Sequence, residues 1–193
     1  MKSICVFCGS SIGNDPQFEI QATELGKKLA ALGISLVYGG SKIGLMGAVA
    51  AGCADSGGKV IGVIPHFLDQ VEITNTDADE LYQTESMHER KMKMSQISEG
   101  FIALPGGFGT MDELCEILTW AQLGLVKHPI GLLNINGYFD HLIALFKHMN
   151  ANQLLKNPDF ELLIYDDNID RLLKKMAEFT PSKNSFLDKL DLL

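Results

Sequence analysis

Short, predominantly apolar runs alternate with longer stretches of helical periodicity through most of this chain, and no other pattern in it narrows the choice of fold as far. The runs cover residues 3–8, 34–38, 60–64, 101–104 and 130–133, with a weaker one at 81–84. Each is short and lacks the polar–apolar alternation of a half-exposed strand, so the five strong ones read as strands buried on both faces. Between them lie helical patterns over 15–32, 45–56, 87–98, 110–123 and 138–149, the first with Asp15 as N-cap and Pro16 at the first helical position. A last amphipathic pattern over 168–179 sets Ile169, Leu172, Leu173 and Met176 against Lys174 and Lys175. Regular alternation of this kind predicts an α/β chain with a Rossmann-like three-layer fold, a mostly parallel sheet flanked by helices on both faces. Such sheets take their ligands at the carboxyl ends of the strands.

Composition excludes several classes of function. With 46% hydrophobic and 21% charged residues the chain is neither disordered nor collagenous, and no linker, repeat or low-complexity segment divides it. Residues 1–180 are therefore expected to form one domain, with 181–193 as a C-terminal tail. Sixteen Lys and Arg against twenty-four Asp and Glu leave a net charge of −8, which argues against nucleic-acid or anionic-membrane partners while leaving room for a small phosphorylated ligand in a local positive pocket. No apolar run approaches the roughly 18 residues of a membrane span, and the N-terminus has no secretory h-region, so a cytoplasmic location is expected. Cys5, Cys8, Cys53 and Cys115 read as buried reduced thiols, the C-x-x-C pair lying in a strand rather than at a helix N-terminus. The five histidines form no metal-binding spacing, and no metal is expected.

Three glycine clusters follow three of the strands: Gly9-Ser10-Ser11, Gly39-Gly40-Ser41 and Gly106-Gly107-Phe108-Gly109-Thr110. All should face one edge of the sheet, where glycine permits close backbone approach and a following helix N-terminus offers free N–H groups to a phosphate. One such turn is an ordinary βα connection; three together favour an anion site. The loops lack the G-K-[ST] ending of a P-loop and the G-x-G-x-x-G fingerprint of a dehydrogenase, so a monophosphate fits better than a triphosphate or a dinucleotide.

Two ionic residues stand close to these turns. Arg90, one of only two arginines, falls with Lys91 near the start of the helix that precedes the third turn. There Ser86 and Glu89 fit a capping box. Glu113 admits two readings: Thr110 and Glu113 also fit a T-x-x-E capping box, or the carboxylate meets the sugar carbon of a nucleotide whose phosphate the turn holds. Glu116, one turn further along, is placed to assist, and Trp120 reads as a core or subunit contact.

With these residues in hand the sequence resembles a known family. Pro105-Gly106-Gly107-Phe108-Gly109-Thr110-Met111-Asp112-Glu113 matches P-G-G-x-G-T-x-x-E, and Met87-His88-Glu89-Arg90-Lys91 matches M-H-x-R-K, the paired motifs of the LOG (Lonely Guy) cytokinin riboside 5′-monophosphate phosphoribohydrolases. The resemblance covers about the first 150 residues. It implies a Rossmann-like homodimer with sites near the subunit interface, hydrolysis of the N-glycosidic bond of purine or cytokinin riboside 5′-monophosphates such as AMP, and no cofactor. It further implies catalytic roles for Arg90 and Glu113, phosphate binding by Gly106, Gly107, Gly109 and Thr110, and nucleotide contacts from Ser10, Gly39, Gly40, Met87 and Lys91. Ser41 departs from the family's usual third glycine. The rival readings are a nucleotide-binding module without catalysis and a lysine decarboxylase. The latter requires a Schiff-base lysine, and neither Lys42 nor Lys91 stands out for that role.

Overall fold

Strand β1 (Ser3–Phe7) occupies the centre of the sheet and organises both layers around it. It pairs in parallel with β2 (Ser35–Tyr38) on one side and β5 (Phe101–Ala103) on the other, so that Cys5 lies beside Val37 and Phe101. Outward from β2 come β3 (Val60–Pro65) and β4 (Glu80–Thr84); outward from β5 come β6 (Ile130–Leu133) and β7 (Leu163–Asp166). All six pairings are parallel, and the computed structural model describes residues 1–69 and 74–181. Strand order reverses between β1 and β5, which makes the crevice beyond their carboxyl ends the place for a ligand.

Strand geometry divides the core. Successive side chains of β1 point to opposite faces, sending Ile4 and Val6 into one apolar layer and Cys5 and Phe7 into the other. The first layer is closed by α1 (Pro16–Ala31), α2 (Gly44–Ala54) and α8 (Ile169–Ala177) through residues such as Leu25, Val49 and Leu172. The second is closed by α4 (Met87–Gln96), α5 (Phe108–Leu123) and α6 (Asp140–Ala151) through Met94, Leu114 and Ile143. Thus α4 and α5 share one face of the sheet, which brings the two motif-bearing helices together. On the opposite face α1 and α2 make backbone-close contact: a Cβ on Gly26 would lie 2.2 Å from the Val49 carbonyl oxygen.

The six expected strands and six expected helices all form, with ends shifted by one or two residues. Asp15 caps α1, accepting from the Gln17 N–H at 2.9 Å. Four elements were not expected from the sequence: β7, the four-residue helices α3 (His66–Asp69) and α7 (Asn157–Phe160), and a 3-10 turn at Ile135–Gly137. Among the described residues, no helix is long and apolar enough to cross a membrane. Apart from Pro181, the expected tail lies outside the described residues.

Candidate active site

The loop after β1 is drawn inward by its backbone. Gly9 donates to the Pro105 carbonyl at 3.0 Å and accepts from the Leu45 N–H at 3.1 Å, tying the first glycine turn to both the third turn and α2. Gly44, at φ +64°, lets α2 begin against this loop; a Cβ there would lie 2.3 Å from the Ser10 carbonyl carbon.

Helix α5 starts two residues before the expected position because Gly107, not Thr110, is its N-cap. A glycine cap has no side chain to occupy the first-turn N–H groups, which leaves them available to an anion. Thr110 lies inside the first turn and is buried, its hydroxyl so close to Gly106 that a Cβ there would sit 2.0 Å from it.

This start also removes the capping-box reading of Glu113. The carboxylate does not return to the Thr110 N–H; it accepts from Arg90 Nη1 at 2.9 Å, with both residues less than 9% exposed. Arg90 is held a second time by its Nε, which donates to the Val63 carbonyl at 3.0 Å. Ser86 caps α4 as expected, accepting from the Glu89 N–H at 3.2 Å. Glu89 departs from the box, reaching past Ser86 to the Glu85 N–H at 2.8 Å.

Electrostatics follow from this geometry. Burial pushes the Glu113 carboxyl above the usual glutamate value, and the Arg90 guanidinium opposes the shift without cancelling it. Burial likewise raises the Cys8 thiol, with the Glu113 charge adding to the effect. Lys91 forms a second rung between the helices, its ammonium 3.0 Å from both Asp112 and Glu116. Burial pulls its pKa down, but these carboxylates outweigh that and hold it above the usual lysine value.

Arg90 and Glu113 line a cavity of about 330 Å³ together with Cys8, Gly9, Ser10, Gly39, Met46, Leu68 and the Gly107–Thr110 turn. Gly106 lines an adjoining cleft of about 310 Å³, which shares Gly9, Ser10 and Gly107 with the first. Seven of the expected site residues therefore come together directly: Ser10, Gly39, Arg90, Gly107, Gly109, Thr110 and Glu113. Gly40, Met87 and Lys91 do not line the cavity. Gly40, at φ +78°, turns the chain and approaches Ile64, while Lys91 faces its two carboxylates. Sequence reasoning did not assign Met46, Leu68, the 96% exposed Phe108 or Tyr138, whose hydroxyl donates to the Gly106 carbonyl at 2.7 Å. Met46 and Phe108 lie in the first turns of α2 and α5 and Leu68 in a single-turn helix, where periodicity does not mark a ligand-facing residue, and only the position of Phe108 between two turn glycines could have pointed to it.

A family model described as "possible lysine decarboxylase" matches residues 46–176. The chain is 46% identical over 179 residues to a "probable cytokinin riboside 5′-monophosphate phosphoribohydrolase" of Oryza sativa subsp. japonica, covering 93% of this chain and 80% of that one. It is 42% identical over 187 residues to a cytokinin riboside 5′-monophosphate phosphoribohydrolase of Arabidopsis thaliana, covering 97% and 87%. Among solved structures, the molybdenum cofactor carrier protein of Chlamydomonas reinhardtii superposes with a TM-score of 0.69 at 22% identity, over 92% of this chain and 98% of that one. The molybdenum cofactor binding protein of Rippkaea orientalis gives 0.70 at 20% identity, over 92% and 97%. At such identities these two likenesses establish the fold alone.

Proposed function

The chain belongs to the LOG family of cytokinin riboside 5′-monophosphate phosphoribohydrolases, and from that premise we propose that it hydrolyses the N-glycosidic bond of purine or cytokinin riboside 5′-monophosphates, AMP among them, to free base and ribose 5-phosphate. The observation that carries this reading is the buried Arg90–Glu113 pair in a cavity that an uncapped helix N-terminus also lines.

The phosphate dianion is held by the first-turn N–H groups of α5 at Gly107, Gly109 and Thr110, with hydroxyls from Ser10 and Thr110 and the close approach that Gly106 permits. The neighbouring ribose then faces Glu113, and the base lies toward Met46 and Leu68. As the bond from C1′ to the base nitrogen breaks, its electron pair leaves with the base and positive charge develops on the sugar, which the carboxylate stabilises. Water attacks C1′; Glu113 accepts its proton and returns it to the departing base, so the C1′–N bond and one O–H bond of water break while a C1′–O bond and a base N–H bond form. A carboxyl held above the ordinary glutamate value by burial suits a group that must both take and return a proton. Arg90 orients Glu113 and adds a cation to the site. Gly40, Met87 and Lys91 serve through the backbone and helix positions they fix.

The decarboxylase description of the family model does not fit these residues. A pyridoxal Schiff base needs a lysine amine in the cavity, and none is among its described lining residues. Lys91 is clamped between two carboxylates, with its pKa raised rather than lowered, the reverse of an activated amine.

We read residues 1–180 as one catalytic domain that works as a cytoplasmic homodimer. Supporting self-association is an apolar groove of about 160 Å³ lined by Leu118, Phe146, Met149, Leu155 and Phe160. Light scattering coupled to gel filtration tests the dimer, and a monomeric mass at micromolar concentration contradicts it. The activity is tested by chromatography of products after incubation with AMP, isopentenyl-AMP, other monophosphates and unphosphorylated nucleosides. Base release confined to monophosphates supports the reading. Binding without release, or equal release from nucleosides, overturns it.

A further inference from the structure

The structure assigns to Gly39 the role of a positioning residue, one that leaves an empty wedge in which the Arg90 guanidinium is pressed toward Glu113. This inference rests on the reading of Arg90 and Glu113 given above and adds a reason for the glycine that precedes Gly40.

The two glycines of this turn are required for different reasons. Gly40 has a φ of +78°, a conformation that L side chains rarely adopt. Gly39 is not among the residues with positive φ, so its backbone is open to any amino acid and conformation does not explain the absence of a side chain. Space does. A Cβ on Gly39 would lie 2.1 Å from Arg90 Nη2 and 2.7 Å from Met46 Sδ.

A flexible side chain usually yields to such a contact, and Met46 can do so. Arg90 cannot. Its Nε donates to the Val63 carbonyl at 3.0 Å, its Nη1 donates to Glu113 at 2.9 Å, and the residue is 7% exposed. Moving the guanidinium off Gly39 strains both of these bonds, and a shift away from the turn draws the cation from its place against the carboxylate. Gly39 therefore acts on the reacting group through Arg90, without itself touching the sugar.

Glu113 reports the displacement. The charged and titratable groups around it are Arg90 and Lys91 from α4, Asp112 and Glu116 from α5, and Cys5 and Cys8 from β1 and the residue following it. Of these, Arg90 gives the strongest opposition to the upward push of burial. Its withdrawal should raise the carboxyl further.

The experiment is a ¹³C titration of the Glu113 carboxyl in the parent and in Gly39→Ala, the signal being identified by its loss in Glu113→Gln, with steady-state kinetics on AMP beside it. The expected result is a midpoint raised by about one pH unit or more, with kcat reduced on the order of 10- to 100-fold, the scale of a reacting group misplaced by about 1 Å. KM should stay within about threefold, because the phosphate grip on α5 is untouched. In an Arg90→Lys background, whose ammonium lacks the group that meets Gly39, adding Gly39→Ala should leave the midpoint unchanged. An unmoved midpoint in Gly39→Ala, or an equal upward step in both backgrounds, overturns the assignment. If Gly39→Ala alone is too unstable to purify, Gly39→Ala with Met46→Ala removes the second clash and preserves the readout. The titration needs no turnover, so a parent that releases no base defeats the proposed function while leaving Gly39 to be judged on its own.

Discussion

Replacing Glu113 with Gln separates catalysis from architecture, because it keeps a side-chain acceptor for Arg90 and removes only the charge. Outright loss of one partner of a buried ion pair costs about 3–5 kcal/mol. Here the cost is smaller: the amide oxygen can still accept from Arg90 Nη1, and the desolvation that pushes the carboxyl pKa up is relieved. We expect about 1–2 kcal/mol, which for a chain of this size lowers Tm by about 2–8 °C. Catalysis should suffer far more, with kcat falling by about 10²- to 10⁴-fold as the proton acceptor is lost. The pH dependence has a definite sign. The folded pKa of Glu113 lies above its unfolded value, so the native state binds the extra proton, and this group's contribution to stability is fully present below the unfolded pKa and lost as pH rises through the folded one. Gln does not titrate, so the Tm deficit of the variant should be larger at low pH and narrow toward neutrality. Parent activity should fall on acidification with a midpoint above the ordinary glutamate value. The assays are scanning fluorimetry between pH 4.5 and 8 and chromatographic base release. An E113Q protein that retains full activity on monophosphates refutes the role given to the carboxylate, whatever its Tm.

Three further outcomes follow from particular contacts. Lys91→Met removes the rung to Asp112 and Glu116, and should lower Tm by about 2–4 °C for about 1 kcal/mol. It should also move the acid limb of kcat upward with KM unchanged; a raised KM would instead make Lys91 a substrate ligand. Gly106→Ala forces a Cβ into the position 2.0 Å from the Thr110 hydroxyl. It should raise KM about tenfold, the worth of one displaced hydrogen bond, and an unchanged KM removes Thr110 from the phosphate site. Cys115 is exposed, against the expectation of a buried thiol, but Cys5, Cys8 and Cys53 are buried, with thiols raised by burial, so iodoacetamide at pH 8 should leave these three unlabelled until urea is added. Mass spectrometry showing fast native labelling of any of the three contradicts that placement.

What could be read from the sequence follows the physics of burial. β1, β2, β3, β5 and β6 were legible because strands covered on both faces are continuously apolar, and α8 because Ile169, Leu172, Leu173 and Met176 form one buried stripe. β4 gave a weak signal and β7 none, since both are edge strands with partly exposed residues. The helices α3 and α7 are each a single turn, too short for periodicity to register. At the site, the sequence supplied the glycine turns, Arg90 and Glu113, but could not choose between a cap and a catalytic carboxylate. Excluding the cap depends on where α5 begins and on an arginine 23 residues away. Lys91 illustrates the same limit: its place in the motif suggests a nucleotide contact, whereas its ammonium lies between Asp112 and Glu116.

The central claim is that one carboxylate confronts the anomeric carbon of a sugar whose phosphate rests on the start of α5. A crystal structure of the E113Q protein with an uncleaved purine riboside 5′-monophosphate measures this directly. The account predicts the residue-113 side chain within about 3–3.5 Å of C1′ or of a water poised to attack it, and the phosphate on the Gly107–Thr110 turn. A phosphate held elsewhere, or that side chain turned away from the ribose with the bond to the base beyond its reach, contradicts it.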